Sequence, residues 1–350
     1  VAPAESNNNL DICRFGDRLY FAWRTAPTHF AGPATRIEVS SVEFDGTGSE
    51  ELLDRPWRHE TTIAVGADLR EPRFAIAGER LELFYMELGT DPRRFQPHRT
   101  WRTGTTAGSE VWSKPVVAIE DAVVPWRIRR LGGRFVLSTY RYGEQMYSLR
   151  PIDPVVELRY SDDLLSWSEP VPIHTGGIEC ELVELPDGHF LGVTRNEGPS
   201  HFGSDILYGA RLESMSRRPI APKLDSPMMF LWDGEPWLIA RRSLARSGRY
   251  GFAPRRLPGP VGIRVNQLGW SLSRKRSALW KLDARRSSIE RVADLPSRGD
   301  TSFAGVEHCA DGSLLVADYT SPESARDPIW FAGQLQPTVI QLLTVRRQFP

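Results

Sequence analysis

Residues 181–194, Glu181-Leu-Val-Glu-Leu-Pro186-Asp187-Gly188-His-Phe190-Leu-Gly-Val-Thr194, read as two short strands joined by a Pro-Asp-Gly turn. The turn glycine recurs upstream at Gly133 and Gly78, each 55 residues before the last. Trp57, Trp112 and Trp167 keep the same interval, and so do Tyr85, Tyr140 and Arg195. Three series with one period mark a repeated unit. A repeat of roughly 40 to 55 residues carrying about four short strands is the blade of a β-propeller.

Working outward, the chain predicts a single all-β domain over 1–350, a six-bladed β-propeller with blades near 7–57, 68–119, 122–173, 177–222, 224–295 and 299–345. Further tight turns at Gly16, Gly234 and Gly312 complete the set of inner hairpins. Nothing between Asn7 and Val345 reads as a long amphipathic helix. The Arg-, Gly- and Pro-rich stretch Ser243–Asn266 reads as a long loop in blade five, which leaves counts of five or seven blades open.

A hydrophobic fraction of 40%, with 10% aromatic residues, supports a sizeable core and argues against disorder. Lys+Arg and Asp+Glu number 44 each, so bulk charge recruits neither nucleic acid nor a membrane surface. No apolar run approaches the roughly 18 residues of a membrane span. Cys13, Cys180 and Cys309 have neither disulfide-framework nor zinc spacing. The chain opens Val1-Ala-Pro3 without methionine, which suits a removed leader and leaves export and the cytoplasm both open. Oligomeric state stays open too.

In a propeller the inner strand of each blade runs along the axis and the next strand returns beside it. The glycine turns therefore share one face. Inner-strand starts and second-strand ends share the other, where the chain is polar. Starts carry Asp11, Arg70, Glu71, Trp126, Glu179, Glu181 and Asp300, and ends carry Arg24, Arg141, Arg195 and Arg241. Two similar loops, Arg24 to Phe30 and Arg195 to Phe202, add His29 and His201, expected to overhang one cavity from opposite sides.

Glu179 and Glu181 stand two apart on a strand and are expected to point the same way, with Cys180 facing inward. Stacked carboxylates beside arginines suit acid–base work, because like charges raise one pKa while a guanidinium keeps the other ionised. Glu71 adds a carboxylate from a neighbouring wall. The bland alternative is a ring of inter-blade salt bridges.

Glu179-Cys-Glu181 through Thr194-Arg195 resembles the sialidase segment in which a glutamate opens an inner strand and an arginine closes the hairpin. Asp300-Thr-Ser-Phe303 through Asp311-Gly312 resembles the last sialidase blade, and Ser161-Asp162-Asp163-Leu-Leu-Ser-Trp167 resembles a degenerate Asp-box turn. The resemblance implies the sialidase-like (Asp-box) glycosidase superfamily. Sialidases place a tyrosine nucleophile where this chain has Phe303, and an Arg-Ile-Pro where it has Leu10-Asp11-Ile12. The expectation is therefore a glycoside hydrolase using Glu71, Glu179, Glu181, Asp11 or Asp300 on an acidic or polyhydroxylated sugar. Arg24, His29, Arg70, Trp126, Arg141, Arg195, His201 and Arg241 would bind that carbohydrate. A polysaccharide lyase using His29 or His201 and a sugar-binding propeller without catalysis remain alternatives. No cofactor is expected, with a divalent cation left open. Phosphate-loop, dinucleotide and serine-elbow signatures are absent.

Overall fold

The computed structural model describes residues 4–46, 48–142, 151–245, 251–253, 257–286, 288–323 and 326–347. Six antiparallel sheets follow one another along the chain, five of four strands and one of three. Blade one holds Ser6–Phe15, Arg18–Ala26, Arg36–Glu43 and Arg58–Ile63, and blade two Asp68–Ala77, Arg80–Leu88, Pro97–Thr106 and Val116–Ile119. Blade three holds Val124–Leu131, Arg134–Arg141, Val155–Ser161 and Val171–Thr175, and blade four Gly177–Glu184, Phe190–Gly198, His201–Gly209 and Ser216–Ile220. Blade five holds Asp225–Trp232, Glu235–Ser243, Lys275–Asp283 and Ser288–Asp294; blade six has Ser302–His308, Leu314–Thr320 and Val339–Val345. The chain is an all-β six-bladed propeller, as the repeat predicts.

The turn glycines explain the period. Gly78, Gly133 and Gly188 sit at φ of +60, +79 and +80°, a region open to glycine at no steric cost. The tryptophan series has a different cause: packing between blades. Trp112 of blade two meets Tyr20 of blade one at 6.4 Å, and Trp167 of blade three meets Phe84 of blade two at 5.8 Å. Trp57 meets Phe21 edge-on at 6.2 Å and packs against the cluster to which Leu315 of blade six belongs. Each ring is a wedge against the preceding blade.

The core lies in these wedges rather than at a single centre. Leu131, Val136 and Leu158 of blade three pack with Leu182, Phe190 and Leu207 of blade four, and the other interfaces are built alike. Truncating such a leucine to alanine costs about 2–5 kcal/mol. First and last blades close the ring: the Asn7 amide donates to Thr338 Oγ1 at 2.7 Å, and that hydroxyl donates to the Asn7 carbonyl at 2.7 Å.

One expectation fails. Part of Ser243–Asn266 is not loop: a 13-residue helix runs Gly259–Ser271 inside blade five. It turns Gly262, Ile263 and Trp270 inward, while residues 246–250 and 254–256 lie outside the described residues. A four-residue helix, Trp330–Gly333, sits within blade six. Among the described residues, no helix is long and apolar enough to cross a membrane.

Candidate functional site

All six inner strands break register at the same level. The irregularities fall at Asn9, at Glu71-Pro72, at Trp126, at Glu179-Cys180, at Ser226-Pro227 and at Phe303-Ala304, where extra residues face the partner strand. A bulge bends a strand and re-aims one side chain. Five of the six hold a non-glycine residue in the left-handed region: Asn9 (φ +43°), Glu71 (+53°), Glu179 (+49°), Ser226 (+51°) and Phe303 (+62°). Such conformations cost about 1–3 kcal/mol each and gather at functional sites.

Above this ring lies a cavity of about 400 Å³, lined by His29, Arg70, Glu71, Glu179, Arg195 and Arg241 of the expected set. Glu71 is buried, accepts a 2.6 Å hydrogen bond from Asn9 Nδ2 and pairs with Arg73. Burial pushes its carboxyl up; Arg73 opposes the rise and the neighbouring charge of Glu179 adds to it, leaving the pKa above the usual range. Glu179 accepts from Arg195 Nη1 at 2.8 Å and from the Ser226 amide at 2.7 Å. Arg195 also reaches Glu197 at 2.8 Å and Asp225 at 3.1 Å. Arg70 pairs with Asp68 at 2.6 Å, and Arg241 lies 4.5 Å over the Trp330 ring while donating to the Thr301 carbonyl.

His29 is held from several sides. Arg24 donates to the Thr28 and Phe30 carbonyls, at 3.3 and 3.0 Å, and Arg70 to the His29 carbonyl at 2.9 Å. His29 Nδ1 lies 2.7 Å from Asp300 Oδ2. Asp300 Oδ1 accepts from Tyr319 OH at 3.1 Å and Trp330 Nε1 at 3.0 Å. Burial lowers the His29 pKa and Asp300 offsets this only in part. Burial would raise the Asp300 carboxyl, but His29, Arg241 and Trp330 outweigh it and keep it low.

Seven expected residues do not line the cavity, each for a physical reason. Glu181 does not share a direction with Glu179, because the bulge between them breaks the alternation that two-residue spacing assumes. It lies a layer below, bonded to Arg127 at 3.1 Å and Arg129 at 2.9 Å. Asp11 is in that layer too, 2.8 Å from Arg127 and accepting from the Phe74 amide. Both carboxylates pair across blades with Arg127 of blade three. Trp126 is buried beneath the cavity, between Arg73 and Phe303. Arg24 is fully buried against Asp68 at 2.8 Å, and Asp300 stands behind His29.

Arg141 faces away, 3.4 Å from Glu157, since alternation gives the cavity Tyr140 instead. His201 does not overhang the cavity: its strand pairs back onto blade four, and its ring faces Asp205 at 3.4 Å. Cys180 is buried, as expected, and its thiol is pushed up by burial.

Sequence reasoning missed Glu197, Tyr140, Trp270 and Trp330, which also line the cavity. Glu197 was recoverable, standing one strand repeat beyond Arg195. Trp270 was not, because it belongs to the inserted helix. Its Nε1 donates to Asp225 Oδ2 at 2.7 Å, and Lys275 Nζ, whose pKa burial pulls down to about 6, lies 4.1 Å from its ring. Phe303 lines the cavity and offers no hydroxyl. Among the described residues, no group of three or more His, Cys, Asp or Glu side chains could hold a metal ion.

No family model matches the chain, and no curated protein matches it. Solved structures do. A protein of unknown function from Dyadobacter fermentans superposes with a TM-score of 0.66 at 14% identity, over 97% of this chain and 95% of that one. Trypanosoma rangeli sialidase in complex with sialic acid gives 0.61 at 12% identity, over 98% of this chain and 54% of that one, so the chain spans about half its length. The Hadza microbial sialidase Hz136 gives 0.57 at 9% identity, over 97% and 66%. At these identities the likeness is one of fold.

Proposed function

We propose that the protein is a glycoside hydrolase that takes an acidic sugar into this cavity. The observation that carries the reading is the pair Glu71 and Glu179, two carboxyl groups presented by equivalent bulges of blades two and four to one cavity. Glycosidases use two such groups across the scissile bond, one of them a proton donor with a raised pKa. Glu71, held up by burial and by Glu179, suits the donor. Glu179, with both oxygens accepting hydrogen bonds, suits the carboxylate that stabilises positive charge developing on the sugar ring.

The anionic character of the substrate rests on the lining. Five arginines line the cavity, Arg70, Arg93, Arg94, Arg195 and Arg241, in a chain with no net charge overall. Guanidinium groups suit a carboxylate in two-pronged fashion. The trypanosomal sialidase of the same fold has sialic acid, an acidic sugar, bound. Phe331, exposed where it lines the cavity, offers an apolar face for the sugar ring.

A glycan panel read by mass spectrometry tests the reading. Hydrolysis adds the mass of water across the cut bond, elimination leaves an unsaturated product, and binding alone leaves every mass unchanged. Glu71→Gln is expected to cut turnover by about 100-fold or more. Full turnover in that variant removes Glu71 from the chemistry.

A further inference from the structure

The two glutamates leave one role unfilled, that of the group that takes a proton from water. Both Glu179 oxygens already accept hydrogen bonds. We propose that His29 is the general base of this site and that Asp300 is the residue that positions and polarises it. This rests on the hydrolase reading above.

An imidazole and a buried carboxylate stand side by side here. Nδ1 lies 2.7 Å from Asp300 Oδ2, two buried atoms close enough to pair but not aligned as a hydrogen bond in this structure. The proton of the neutral ring is assigned to Nδ1, beside that carboxylate, and the lone pair to Nε2. His29 lines the cavity, and its side chain keeps 11% exposure although Nδ1 is buried. In the proposal Nε2 is the ring nitrogen that meets a water molecule there. Asp300 is fully buried, and its other oxygen is occupied by Tyr319 and Trp330, so it cannot turn away from the ring. The peptide of His29 is fixed as firmly: Arg70 holds its carbonyl, Arg24 the carbonyls on either side, and its amide donates to the Gln334 carbonyl at 3.4 Å.

The step balances. The water oxygen bonds to the anomeric carbon as the glycosidic carbon–oxygen bond breaks. The proton of the water passes to His29 Nε2, and the leaving oxygen takes the proton of Glu71. Exchange with solvent then returns a neutral ring and a protonated Glu71. The charged groups facing His29 are Asp300 from blade six, Arg70 from blade two and Arg24 from blade one; the first favours the imidazolium and the arginines oppose it. A base kept neutral by burial, yet steadied by a carboxylate once it takes a proton, meets both halves of the task.

The experiment uses the full chain with 4-methylumbelliferyl N-acetylneuraminide and glucuronide as probes. His29→Ala is expected to lower kcat by about 100-fold or more with KM little changed, and added imidazole is expected to restore part of the loss. Asp300→Asn is expected to move the acidic limb of the kcat/KM profile to lower pH, because the ring loses the carboxylate that raises its pKa. A nitrogen NMR spectrum of the wild-type chain, which needs no substrate, is expected to show His29 protonated on Nδ1. His29→Ala turning over within threefold of a working wild type, or a ring protonated on Nε2, ends the proposal and leaves the hydrolase reading standing. A wild type inert on every glycan of the mass-spectrometric panel sinks the hydrolase reading instead.

Discussion

Asn9 and Glu71 meet across the boundary between the first two blades, Nδ2 to Oε1 at 2.6 Å, each from a left-handed bulge residue. The bond is a donor aimed at the charged form of a carboxyl that burial otherwise drives toward neutrality. Asn9→Gly keeps the backbone conformation and removes that donor. The Glu71 pKa is then expected to rise, and the basic limb of kcat/KM to move to higher pH. A titration of the Glu71 carboxyl carbon by NMR reads the same shift without substrate.

Glu179→Gln acts on the same carboxyl with the opposite sign. The negative charge of Glu179 helps hold Glu71 up, so its removal is expected to lower the Glu71 pKa and pull the basic limb downward. An unmoved limb in a folded variant would show that the two groups do not sense each other.

Arg195 ties together Glu179, Glu197 and Asp225. Breaking a buried ion pair by removing one partner costs about 3–5 kcal/mol, because uncompensated charge is left behind. Arg195→Ala is expected to lose stability on that scale in urea unfolding. Arg195→Lys retains a charge without the fork, and is expected to lose affinity for acidic sugars more than for neutral ones.

Asp318 gives the fold a pH dependence separate from the chemistry. It is fully buried behind the blade-six bulge, accepting from the Ser302 and Tyr319 amides and from Thr301 Oγ1. Burial raises its pKa to about 7, with those hydrogen bonds opposing. A folded pKa above the unfolded value of about 3.9 contributes stability that is complete below that value and lost as pH rises through about 7. Asp318→Asn is expected to flatten stability between about pH 4 and 7, by on the order of 4 kcal/mol at most at 1.36 kcal/mol per pKa unit. Urea midpoints across that range check it.

The propeller was legible because its period is written in residue types with one physical use each: glycine for a left-handed turn, tryptophan for an inter-blade wedge. The bulges were not. Glutamate and serine carry no signature for left-handed backbone, and a lone asparagine is no marker of a bulge, so the strand rule set Glu181 beside Glu179 where an irregularity separates them. The inserted helix escaped for a different reason. Gly259-Pro-Val-Gly-Ile-Arg-Val-Asn-Gln-Leu-Gly-Trp-Ser271 carries three glycines, and its apolar residues lie on two faces, Ile263 and Trp270 buried but Val261 and Leu268 exposed. Its one-sided period is too weak to read. Arg24 and Arg195 looked alike in sequence, yet Asp68 buries one while the other meets the cavity.

The ring of bulges separates scaffold from reagent. Hairpin pairing above and below each irregularity holds the sheet, so the bulge, and not the alternation of the strand, sets where the side chain at its tip points. Asn9, Glu71, Glu179 and Phe303 reach one cavity from four such bulges, like tools in one turret. Exchanging a single letter there could retune the chemistry of the mouth while the wedges between blades go on packing unchanged.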